Sequence, residues 1–311
     1  MSPVSKNRME PNWQLARKRP LLEKRARIVQ AIRAFFIDQN FLEIETPQRI
    51  PANAPEFYID AIPAGDWFLQ TSPELAMKRL LAAGYGNIFQ ISHCWRQGER
   101  GNRHLPEYSM LEWYRPECNY HQLMEDCENL LSSLLPSNLL SYQQHQIDLT
   151  RPWPRLSVQQ AFKEYADCSV EESLAEDRFD EVISIQIEPQ LPTNRPTFLI
   201  EYPASQASLA RICPDRPDVA ERFELYLGGM ELANAFSELT NPDEQKFRFD
   251  AEEERRIDAG KAAYPPANRF LAELASMPEA AGIALGVDRL VMLLCDCDHI
   301  DNIVALTPEQ L

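Results

Sequence analysis

The stretch Phe223-Glu224-Leu225-Tyr226-Leu227-Gly228-Gly229-Met230-Glu231-Leu232-Ala233-Asn234-Ala235-Phe236 decides how this chain is read. Two alternating runs flank a Gly-Gly pair, and the tight hairpin turns need positive φ at positions that glycine fills without steric cost. A two-residue turn at 228–229 follows, with Tyr226 opposite Glu231 and Glu224 opposite Ala233. Glu224 and Glu231 then become diagonal neighbours on one face, about 7–8 Å apart. Two carboxylates at that spacing can hold Mg²⁺, which favours a few carboxylates together with nucleotide phosphates. On a hairpin taken alone, two solvated glutamates on an exposed face are the commoner outcome.

Working outward, Pro20 to Gln39 carries a helical apolar stripe with proline at its first position, and Asn40 can close it in the left-handed conformation. Phe41 to Thr46 alternates and ends at Pro47, as a strand with one buried face does. A helix is expected from Glu74 to about Ala83, strands over 87–96 and 108–115, and a helix over Tyr120–Leu135. A strand over Pro196–Tyr202 and helices over 243–260 and 268–276 follow. Gly282 to Leu294 reads as a short strand turning at Gly286 into an apolar helix. Between 136 and 196 only a helix over 157–166 stands out. Hairpin-linked strands with interspersed helices and no βαβ rhythm predict an α+β fold. Residues 1–19 read as a loosely held arm and 20–311 as one domain.

Composition bounds the function. The 311 residues are 44% hydrophobic and 25% charged, which suits a globular chain and excludes collagen-like, disordered and disulfide-scaffold classes. No apolar run approaches the roughly 18 residues of a membrane span. A net charge of −16 disfavours ordinary electrostatic binding to a nucleic-acid backbone, though a local basic pocket remains compatible with it. Seven cysteines with no CxxC pair fit neither a zinc site nor a disulfide framework. With no apolar core in Met1–Arg19 to serve as a secretory signal, a reduced cytoplasmic compartment is expected.

Against this acidic background, one loop concentrates arginine: Arg96-Gln-Gly98-Glu99-Arg100-Gly-Asn-Arg103-His104-Leu105-Pro-Glu107-Tyr108. Arginine recognises phosphate bidentately, and a loop has the freedom to close over it. On the returning strand Met110, Glu112 and Tyr114 share a face, where a carboxylate beside a phenol could recognise an ammonium group. A surface hairpin with solvated charges has the same pattern. Arg289 follows Gly286-Val-Asp at a helix mouth, where backbone N–H groups favour anions. No P-loop or GxGxxG offers another way to hold a nucleotide.

Taken together, Glu45-Thr46-Pro47, the arginine hairpin with Leu111-Glu-Trp-Tyr114, and Gly286-Val-Asp-Arg289 resemble motifs 1, 2 and 3 of class II aminoacyl-tRNA synthetases. Ser72-Pro73-Glu74-Leu-Ala-Met-Lys-Arg79 and Glu231-Leu-Ala-Asn-Ala-Phe-Ser-Glu238 resemble the lysine-specific members. The similarity spans about residues 20–305. Motif 1 starts at Pro20, so no anticodon-binding barrel is expected ahead of it. That feature and the run Arg103–Pro116 look most like a truncated branch that attaches lysine, preferentially (R)-β-lysine, to a lysine side chain of elongation factor P.

The resemblance implies a six- or seven-stranded antiparallel sheet flanked by helices, in a homodimer joined through motif 1. It implies ATP as co-substrate and Mg²⁺, with Arg96, Arg289 and Glu231 as catalytic groups. Arg96 would hold the substrate carboxylate and α-phosphate, and Arg289 the far end of ATP. Tyr108 would stack on adenine, with Gly98, Glu99, Leu105, Leu232 and Gly286 also lining the nucleotide. Glu224 and Glu231 would bind the metal. Ser72, Pro73, Glu74, Tyr114, Asn234 and Glu238 would surround the amino groups of lysine, with Phe236 as a wall and Ala284 as a floor that favours the β-amino isomer. Leu105 stands where the family usually has Asn, and Gly98 where it usually has Glu, so Glu99 would substitute. Strict alternation sends Asn234, Phe236 and Glu238 away from Glu231, so a bulge near 233–235 is required. A basic surface at Arg100, Arg103 and residues 17–27 would meet the acceptor. Neither tRNA nor a membrane is expected as a partner. A minimal tRNA-lysylating enzyme and an inactive paralogue serving as a regulatory subunit are the competing readings; Arg96, Glu224, Glu231 and Arg289 all being present argues against the second.

Overall fold

The computed structural model describes residues 13–311. Residues 1–12 of the expected arm lie outside them. The rest of that arm is helical: α1 runs Trp13–Asp38 and carries Pro20 inside it, not at its start. Lys18 Nζ reaches the Val304 carbonyl at 3.2 Å. Docking of this first part of α1 offsets the one backbone hydrogen bond that proline removes. Asn40 ends the helix at φ 60°.

One sheet organises the chain. Its strands are β1 (Leu42–Glu43), β2 (Ile88–Trp95), β3 (Glu107–Pro116), β4 (Arg155–Ser157), β5 (Thr197–Ile200), β6 (Arg222–Leu227), β7 (Met230–Ser237) and β8 (Ala280–Gly286). They lie in the order β1-β2-β3-β8-β7-β6-β5-β4. The sheet is therefore eight-stranded, wider than expected, and its two outermost pairings, β1/β2 and β4/β5, are parallel. The six inner strands pair antiparallel. The β4 edge, three residues long, is too short to show periodicity. The expected strand over 41–46 shrinks to β1, whose two residues are exposed, while Phe41 beside it is buried.

Alternation divides the sheet. Phe89, Leu111, Trp113, Leu225, Ala235 and Leu285 join Phe36 of α1 and Leu123 and Leu130 of α3 (Tyr120–Leu134) in the main core, with the apolar helix α4 (Val287–Leu294). Met110, Glu112, Tyr114, Asn234, Phe236, Gly282 and Ala284 line a cavity on the sheet instead. Helix α2 (Glu74–Ala82) and the helix Asn268–Leu274 close one side there through Met77, Leu81, Phe270 and Leu274.

The hairpin turns at Gly228 and Gly229, with φ 58° and 72°. Tyr226 faces Glu231 as expected, but the next pair is Leu225 with Ala233, so Leu232 is an extra residue. The required bulge thus sits at Leu232, one residue ahead of the expected place, and Glu224 faces Asn234, not Ala233. Its effect is to bring Glu231, Asn234 and Phe236 to one cavity.

The region 136–196 contains more than one helix. A hairpin (139–142 with 145–148) precedes β4, and short helices over 158–165, 170–175 and 179–182 build a second apolar cluster. There Phe162, Phe179 and Val182 pack against Leu199 of β5 and Tyr226 of β6. This layer supports the half of the sheet that carries Glu224.

Candidate active site

The cavity has a volume of about 270 Å³ and opens to solvent. At one end stand the expected nucleotide-side residues Arg96, Glu99, Leu105, Tyr108, Glu231, Leu232, Gly286 and Arg289. Arg96 leaves β2 with its guanidinium carbon 5.2 Å from the centre of the Tyr108 ring, and Glu99 lies 3.6 Å from it. The Tyr108 hydroxyl donates to the Thr71 carbonyl at 3.0 Å, fixing the ring. Arg289 donates to the Glu231 carbonyl at 2.7 Å and to its carboxylate at 3.2 Å, and its other terminal nitrogen meets His104 Nε2. Burial and then the Arg289 charge hold His104 below its usual pKa, so it stays neutral and accepts. Leu105 is buried in the main core. Gly98 does not line the cavity; at φ 79° it makes the turn of the loop.

Asp288, one residue before Arg289, accepts from the Ser109 amide at 2.8 Å and pairs with Arg25 of α1 at 2.5 Å. The loop, the helix mouth and α1 are thereby tied together. Arg100 and Arg103, expected as free cations on the surface, are committed elsewhere. Arg100 pairs with Asp301 at 2.9 Å and Glu309 at 2.8 Å, and Arg103 donates to the Gly229 carbonyl at 2.7 Å. In segment 17–27, Arg19 pairs with Glu23 and Arg25 with Asp288.

Glu224 accepts from Arg222 and from the Tyr226 hydroxyl, each at 2.7 Å. Burial, and next the neighbouring Glu231, raise its pKa. Two carboxylates that repel each other so close to the nucleotide-side arginines suit a divalent cation. Among the described residues no group of three or more His, Cys, Asp or Glu is placed to hold a metal. An ion there would complete its shell from other oxygens, such as phosphates.

The opposite end is rich in carboxylate. Ser72 Oγ donates to Glu112 at 2.6 Å and accepts from the Glu74 amide at 3.0 Å; the Tyr114 hydroxyl donates to Glu112 at 2.9 Å. Lys78, fully buried on α2, lies 2.6 Å from Glu74 and in contact with Glu238, and 5.0 Å from the centre of the Phe236 ring. The two carboxylates expected to meet a substrate ammonium thus share an internal one. Burial alone would lower the Lys78 pKa, but Glu238 and Glu74 outweigh it and hold the side chain charged. Burial pushes both Glu112 and Glu238 up to about 8. Lys78 opposes that rise at both, and at Glu112 the Ser72 and Tyr114 hydroxyls oppose it as well.

Ser72, Glu74, Tyr114, Asn234, Phe236 and Ala284 line the cavity; Pro73, Glu224 and Glu238 do not. Gly282 is obligatory in the floor, since a Cβ there would come within 2.2 Å of the Tyr114 ring and 2.4 Å of Glu238 Oε1. Four lining or supporting residues have no part in the sequence-based site. Lys78 carried a signal as the i+4 partner of Glu74. Arg222, two residues before Glu224 on one strand face, carried a weaker one. Gly282 and the loop residue Glu56 carried none.

Comparison with known proteins completes the picture. The family model for class II tRNA synthetases (D, K and N) matches residues 12–310. A protein of Vibrio campbellii named elongation factor P--(R)-beta-lysine ligase is 38% identical over 317 residues, covering 96% of this chain and 98% of that protein. Proteins with the same name from Haemophilus influenzae and Proteus mirabilis are each 39% identical, covering 96% and 94% of this chain and 98% and 97% of their own lengths.

Proposed function

The chain belongs to the class II tRNA synthetases of the D, K and N group, and we propose that it activates lysine, with (R)-β-lysine as the preferred isomer, and attaches it to a lysine side chain of elongation factor P. The observation that carries this reading is the charge balance of the cavity. Glu74, Glu112 and Glu238 surround a single internal ammonium, Lys78, a deficit of cations that shows in the rise of both Glu112 and Glu238 to about 8. An incoming ammonium corrects that deficit, and the arginines at the other end suit a polyphosphate.

In the first half-reaction the substrate carboxylate attacks the α-phosphorus of ATP, giving an aminoacyl-adenylate and pyrophosphate. Arg96 holds the carboxylate and α-phosphate, Tyr108 stacks on adenine, and Arg289 holds the far phosphates. Glu224 and Glu231 would hold Mg²⁺, which supplies charge neutralisation of the polyphosphate. Glu74, Glu112, Tyr114 and Asn234 orient the amino groups, with Phe236 and Ala284 bounding the pocket. In the second half-reaction the acceptor amine attacks the activated carbonyl and AMP departs. Catalysis is positioning and charge stabilisation, without a covalent enzyme intermediate. A homodimer joined through α1, acting in the cytoplasm, completes the proposal. Replacing Arg96 with Ala is expected to abolish lysine-dependent ATP–pyrophosphate exchange; exchange near the wild-type rate would remove Arg96 from the mechanism.

A further inference from the structure

A second cavity of about 840 Å³ lies beside the first, and Glu56, Ile59, Ser208 and Arg222 line both. Glu56 therefore stands at their junction, and no step described above uses it. Its loop is held firmly. Arg256, fully buried, donates to the Glu56 carbonyl at 2.7 Å, and the Phe57 amide donates to Glu252 at 2.6 Å. The outer wall of the second cavity offers the exposed rings of Tyr58 and Phe247 together with Asp180 and Glu252. Its arginines do not repel a cation freely, because Arg248 is paired with Glu244 and Arg255 with Asp177. Aromatic faces for a methylene stem and carboxylates for an ammonium head suit a lysine side chain.

We propose that the acceptor lysine enters through this second cavity and that Glu56 takes the proton that its ammonium must lose. The inference rests on the transferase reading above. The freed amine nitrogen forms the C–N bond with the adenylate carbonyl. The C–O bond to the phosphate breaks with its electron pair leaving on AMP, and the AMP phosphate takes the second proton from nitrogen. Supporting this role, burial raises the Glu56 pKa to about 7, opposed by Arg96 and Arg222 and assisted by Glu74 and Glu252, the charged groups that face it. A base so poised accepts and returns protons at neutral pH.

The test separates the half-reactions in Glu56→Gln. The expected result is pyrophosphate exchange and hydroxylamine capture of the adenylate close to wild type, since hydroxylamine is already a neutral nucleophile. Single-turnover transfer from preformed adenylate to elongation factor P should fall about 10²–10³-fold. The wild-type rise of that transfer with pH, centred near 7, should vanish in the variant. Transfer at the wild-type rate with an unchanged pH profile would overturn the assignment, as would loss of exchange and hydroxylamine capture along with transfer. Wild-type enzyme that exchanges pyrophosphate yet never acylates the acceptor would overturn the transferase reading, and this inference with it.

Discussion

At the scale of single residues, Glu112 carries the sharpest consequence. Folding raises its pKa from 4.5 to about 8, so between those values the folded protein keeps a proton that the unfolded chain releases. Stability contributed by that proton is present at low pH and is lost as pH rises through the window. Glu112→Gln, which mimics the protonated form, is expected to raise Tm relative to wild type at pH 9 and to have little effect at pH 5, checked by calorimetry without substrate. The same variant should lose 10²-fold or more in kcat/KM for lysine, because the site then lacks the carboxylate that ionises against the incoming ammonium. For wild type, the KM for lysine should fall as pH approaches 8. Sequence periodicity placed Glu112 with Met110 and Tyr114 on one face, and that face is now the cavity wall. It could not reveal the desolvation that makes Glu112 hold a proton, because desolvation depends on α2 and β8 packing over the strand.

At the scale of elements, α2 and the β6–β7 hairpin do the positioning. Helix α2 delivers Lys78 between two glutamates, Glu238 just past the end of β7 and Glu74 of the helix itself, an arrangement whose charges stabilise one another only as a set. Lys78→Met should therefore cost about 3–5 kcal/mol by leaving buried carboxylates uncompensated. Denaturant unfolding would report it, and a change below about 1 kcal/mol would show that the carboxylates neutralise themselves by protonation. The hairpin was legible because Gly228-Gly229 admits few turns, and the bulge was demanded by the conflict between Glu231 and Asn234. Its exact place was not legible: whether the extra residue is Leu232 or Ala233 depends on packing of Ala233 against Leu285 across the next strand. The three-residue edge strand β4 and the short helices of 170–175 and 179–182 carry too few side chains for periodicity to appear. Pro20 misled in the other direction, since its favoured place at a helix start yields to a helix that is anchored on both sides of it.

At the scale of the whole molecule, acidity and site chemistry pull apart. The chain carries −16 overall, yet its cavity gathers Arg96, Arg222 and Arg289 on one side and Glu74 and Glu112 on the other. No described helix is long and apolar enough to cross a membrane. The α+β class followed from hairpin rhythm, and the antiparallel centre of the sheet agrees with it; the parallel edges arise from connections too long for local patterning to show. The candidate acceptor surface is the part that charge counting located least well, because Arg100 and Arg103 are spent on Asp301, Glu309 and the Gly229 carbonyl. The decisive measurement is ATP–pyrophosphate exchange driven by lysine and by (R)-β-lysine, with label transfer to elongation factor P and to bulk tRNA followed in the same tubes. Exchange that is faster with (R)-β-lysine, and label on the protein alone, is the expected result. Label on tRNA, or no exchange with either isomer, would contradict it.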